Sequence, residues 1–68
     1  MNKTLKEKWI ELAKTRAWIT DQLPAEANRE VRDSLFEARQ AIVVAMLHLE
    51  RVEYLTGGYY SDSENQVE

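Results

Sequence analysis

The chain has 68 residues, 44% of them hydrophobic, with nine Lys/Arg against twelve Asp/Glu and a net charge of −3. That length allows one domain, and a domain so small is marginal unless a disulfide, a metal, a partner or dense helix packing supports it. The chain has no cysteine and one histidine, His48, which excludes disulfides, thiolate metal sites and histidine-rich clusters.

The charge is unevenly spread. Residues 1–56 carry all nine basic residues and nine of the acids, so the body is neutral, while Asp62, Glu64 and Glu68 supply the whole imbalance. A neutral body argues against general nucleic-acid binding, which needs a basic surface, but leaves room for one small anionic ligand. The longest apolar run, Ala41 to Leu47, is too short to cross a membrane. Met1 to Lys8 is charged and lacks the apolar core of a signal peptide. With no cysteine, a cytoplasmic protein is expected.

The first predicted helix runs from about Leu5 to Gln22. Thr4 and Glu7 have capping-box spacing, so each side chain can satisfy an orphan amide of the first turn. Leu5, Trp9, Leu12, Ile19 and Leu23 follow the alternating four–three spacing of an amphipathic face, with Arg16 standing at the one missing seam position. Pro24 then interrupts, because proline disfavours helix at the residue before it and fits the first turn of a new one. Leu23 to Asn28 is therefore read as the bend of an antiparallel pair. The second helix begins either at Pro24 or after an Asn28 cap.

The second helix extends to about Leu55 and stops at Gly57-Gly58, a common C-terminal signal. Its heptad seam is Val31, Leu35, Ala38, Ile42, Ala45, Leu49 and Val52. At 1.5 Å per residue it is about 40 Å long against about 27 Å for the first helix, and the excess is expected to include the apolar half. Residues Ala41 to Leu47 are apolar on every face, and a helix apolar all round is buried all round. A single hairpin offers one partner helix, so further copies are expected on Ile42, Val43, Val44, Met46 and Leu47. The fold class read from the chain is all-α: an antiparallel two-helix hairpin of residues 1–58, oligomerising into a helical bundle. An acidic tail, 59–68, follows and is expected to be disordered.

Nothing in the sequence has the spacing of a catalytic triad, a phosphate loop or a metal-ligand cluster, and no enzyme activity or cofactor is expected. Arg16 is the most informative single residue. An arginine at a seam position either pairs with an acid of the second helix or holds a phosphate or carboxylate bidentately. Trp18 lies off the seam and is placed to pack on another subunit or to stack on a planar ligand. Tyr54, Tyr59 and Tyr60 cluster at the stop of the second helix. There they could cover the end of a bundle or form a lid over a ring, since base–aromatic stacking contributes about 1–3 kcal/mol.

From Leu23 onward the chain resembles a known family. Leu23-Pro24, Asn28-Arg29-Glu30-Val31, Ser34, Gln40-Ala41-Ile42 and Ala45 look like the second half of the helical hairpin of phage anti-CBASS and anti-Thoeris sponge proteins. About 25 residues carry the likeness. The resemblance implies oligomers of hairpins, from dimer to hexamer, that bind a cyclic dinucleotide, cyclic trinucleotide or cyclic ADP-ribose isomer in the host cytosol without cleaving it. Arg29 and Glu30 match the family's Arg-Glu step residue by residue. The family's first-helix Lys and Gly are absent from Ile10-Glu11-Leu12-Ala13, and its second-helix tryptophan is replaced by Val44.

Two binding functions therefore stand beside the reading of a purely structural bundle. One is a sponge for a cyclic nucleotide, with Arg16, Trp18, Arg29, Tyr54 and Tyr59 as ligand contacts. The other is a small helical module that binds a host protein or serves assembly, favoured by the small size, neutral body and acidic tail.

Overall fold

A computed structural model describes residues 4–60. Two helices pack against each other as a hairpin. Helix α1 is Leu5–Gln22, a short 3₁₀ turn spans Leu23–Ala25, and helix α2 is Arg29–Leu55. The acidic stretch 61–68 lies outside the described residues.

Each boundary has a local cause. Thr4 caps α1: its Oγ1 accepts from the Glu7 amide at 3.1 Å, and the Glu7 carboxylate accepts from the Thr4 amide at 3.2 Å, a reciprocal capping box. Pro24 sits in the 3₁₀ turn, and Asn28 decides the start of α2, its Oδ1 accepting from the Val31 amide at 3.1 Å. The Asn28 cap therefore holds and the Pro24 start does not.

Helix α2 ends in a Schellman arrangement. The Gly58 amide donates to the Glu53 carbonyl at 2.8 Å and the Gly57 amide to the Tyr54 carbonyl at 3.3 Å, satisfying carbonyls that the last turn leaves open. Both glycines have positive φ, +64° and +85°, where a side chain is strained. They turn the chain back toward α1, and the Leu5 amide donates to the Tyr60 carbonyl at 2.8 Å. Tyr59 and Tyr60, expected to begin the tail, therefore belong to a turn that closes the open end of the hairpin.

The molecule measures 52 × 22 × 13 Å. Its thinnest dimension is close to one helix diameter of roughly 10–12 Å, so the two helices lie side by side in a single layer. Burial is correspondingly thin. Only Leu5, Ile19, Met46 and Thr4 are buried among the described residues.

The pairing of the helices differs from the sequence reading in three respects. The seam of α2 keeps Leu35, Ile42, Ala45, Leu49 and Val52 at least partly covered, but Arg39 takes the place expected for Ala38, and Met46 is the buried centre. Met46 is 4% exposed while Ala38 and Val31 lie open to solvent. An alanine cannot span the gap to α1, whereas the flexible thioether fills it, and Arg39 reaches across to donate to Thr20 Oγ1 at 3.2 Å. Second, Trp9 Nε1 donates to Glu50 Oε2 at 3.0 Å. Together with the Arg39–Thr20 bond this sets a register in which residues 41–47 lie opposite 12–18. The excess of α2 is thus its N-terminal part, beside the bend, and not its apolar half. Third, Arg16 is exposed. Its position on α1 lies on the side that faces α2, and its long cationic side chain keeps its head in water.

Candidate functional site

One side of α2 rests on α1, and the rest of its apolar girdle is open. Val44 is 51% exposed, Leu47 57% and Leu55 63%, with Phe36 and Tyr54 also open. A folded chain leaves such large apolar groups scattered singly. Here several recur on one helix, where Phe36, Leu47 and Tyr54 share a face with the half-buried Val43. Of the residues expected to meet other copies, Val44 and Leu47 are open, Ile42 and Val43 are half-buried, and Met46 is buried against its own protomer.

The candidate ligand contacts do not converge within one chain. Arg16 and Trp18 are both exposed and, two residues apart on α1, point to different sides of the layer. The Arg29 side chain is 85% exposed at the bend end and pairs with Asp33 at 3.9 Å, too solvated a pair to contribute much energetically. Tyr54 and Tyr59 lie at the opposite end. Twenty-five residues separate Arg29 from Tyr54, roughly 38 Å along the helix. Tyr59 packs edge-to-face on Tyr60 at 5.0 Å, which fits a structural role in the closing turn.

The concavities lie elsewhere. Two shallow open grooves flank the closed end, one of about 320 Å³ along Leu5, Lys8, Leu49, Val52 and Tyr60. The other, of about 330 Å³, lies along Leu5, Lys6, Trp9, Glu50 and Glu53. Neither is lined by any of the five candidate contacts. Sequence reasoning missed the second groove because its polar feature, the Trp9–Glu50 bond, joins residues 41 positions apart, and no local pattern announces such a pair. Among the described residues no helix is long and apolar enough to cross a membrane.

A scan against protein-family models finds no match for this chain, and neither a curated protein nor a solved structure matches it.

Proposed function

We propose that this chain is a non-catalytic binding module that works as an oligomer of hairpins and holds a cyclic nucleotide between copies without cleaving it. The carrying observation is a mismatch of scale. The exposed arginines and tyrosines are too far apart to meet around one small ligand in a single protomer, yet α2 keeps an apolar strip open for a second one. Association of copies would hide the strip and bring cations and aromatic rings from different chains together. Arg16 and Arg29 then supply charge-assisted hydrogen bonds to phosphate, and Trp18, Tyr54 and Tyr59 supply stacking faces. The likeness of the Leu23–Ala45 segment to the sponge hairpins supports the same reading and gives it a setting, phage counter-defence in the host cytosol.

The test is a thermal-shift screen against cyclic dinucleotides, cyclic trinucleotides and cyclic ADP-ribose isomers, with recovery of the ligand afterwards. A ligand at a hundredfold its Kd adds about 2.7 kcal/mol, a shift of several degrees for so small a domain. A shift with intact ligand supports sequestration. No shift across the panel overturns it.

One observation favours a second reading, a protein-interaction module. The open strip on α2 is apolar and rod-shaped, the shape with which an amphipathic helix enters a groove of another protein.

A further inference from the structure

The open strip of α2 has a heptad of its own. Phe36, Gln40, Val43, Leu47, Glu50 and Tyr54 follow four–three spacing, a line about a quarter-turn around the helix from Met46. We propose that this line is the contact between two copies of the chain, paired with their α2 helices antiparallel about a two-fold axis at Ala45. The inference deepens the oligomeric reading above and rests on it.

Three features select this partner and this direction. Antiparallel pairing centred on residue 45 places Phe36 opposite Tyr54 of the second copy, Val43 opposite its Leu47, and Gln40 opposite its Glu50. The apolar layers are large against large. The polar layer is matched, because a glutamine amide donates to a carboxylate that keeps a second oxygen for Trp9 Nε1. A parallel pair would instead set Glu50 against Glu50, carboxylate on carboxylate. A single polar layer of this kind fixes register and direction at some expense of stability.

The flanking charges are self-complementary in the same register. Glu37 and Arg51 are both exposed and on the same side of the strip, and neither has an ion pair within the protomer among the described residues. The two-fold axis brings Glu37 of each copy beside Arg51 of the other, twice per dimer. Val44, half-exposed with no function in the hairpin seam, meets its own symmetry mate between the two pairs. An isologous interface needs this property, that one patch complements itself.

The test is a charge-swap cycle read by sedimentation equilibrium, with far-UV circular dichroism reporting that the helices persist. Glu37→Arg and Arg51→Glu each turn two attractive pairs into two repulsive ones and should each raise the dimer dissociation constant by about tenfold or more. The double variant Glu37→Arg/Arg51→Glu restores opposite charges and should return within about threefold of the parent. Single variants that dissociate without rescue by the double would overturn the antiparallel pairing. Variants that all keep the parent's mass would place the contact elsewhere and leave the oligomeric reading standing. A monomeric parent chain would end both.

Discussion

Trp9 and Glu50 are joined by a 3.0 Å hydrogen bond from indole Nε1 to carboxylate Oε2, the polar clasp between the helices in the half of the hairpin nearer its closed end. It pairs with the Arg39–Thr20 bond at 3.2 Å in the other half. The apolar contact between the helices is narrow, so these two clasps set the register that an apolar stripe alone would leave free to slide.

Trp9→Phe keeps most of the ring and removes the donor. A hydrogen bond to a charged group that stays in contact with water contributes about 1 kcal/mol, so chemical denaturation should show a loss of about that size. Glu50→Gln, which still accepts, should lose less. A larger loss for Glu50→Gln than for Trp9→Phe would mean that Glu50 serves a further contact.

Thr4→Ala and Asn28→Ala each remove a cap from a helix start. The typical cost is about 1 kcal/mol. The Thr4 variant should be the worse of the two, because Thr4 is buried and shares its box with Glu7. The two sites lie at opposite ends of the hairpin, so the losses should add in a double variant melted by circular dichroism.

The Thr4 cap was legible in the sequence because capping is a local matter of spacing, whereas Asn28 was one of two starts that spacing left open for the second helix. The Gly57-Gly58 stop was legible for the same reason. What stayed hidden was the side of α2 that meets α1. Two adjacent rails, one through Ala38 and one through Arg39, share Leu35, Ile42 and Leu49, and hydropathy prefers the alanine to the arginine. Volume and reach decide otherwise. The five ligand candidates stand on separate turns and ends, and residue type carries no information about convergence.

Met46→Ala and Val44→Glu separate the inner face of α2 from the outer one. Met46 is 4% exposed, and truncating a buried methionine costs about 2–5 kcal/mol, enough to unfold a domain this small. Met46→Leu should cost less than about 1.5 kcal/mol. Val44→Glu leaves the hairpin seam intact and should act on association, lowering the mass in sedimentation while the monomer stays helical.

Gly57→Ala tests the closing turn. Nothing lies within 4 Å of a Cβ built there, so the penalty is purely that of a left-handed backbone, about 1–2 kcal/mol. The melting temperature should fall by roughly 4–8 °C per kcal/mol. Gly57→Asn should fall less, because asparagine tolerates that conformation.

Arg16→Leu should change the stability of the hairpin by no more than about 0.5 kcal/mol, the usual range for an exposed position. An arginine embedded in the seam would instead give a gain on replacement. Loss of cyclic-nucleotide binding at unchanged melting temperature would assign Arg16 to the ligand. Retained binding would remove it from the site.

The amide–carbonyl bond from Leu5 to Tyr60 also decides how the hairpin answers to force. Residues 4 and 60 lie side by side, so a pull applied to both ends loads the helices like a zipper rather than in shear. The Leu5–Tyr60 bond takes the first load, the Trp9–Glu50 clasp the next and Thr20–Arg39 the last. Optical-tweezer traces pulled from the two ends should therefore show a low, gradual opening. Traces pulled between the bend and either end, which load the seam along its length, should rupture at higher force.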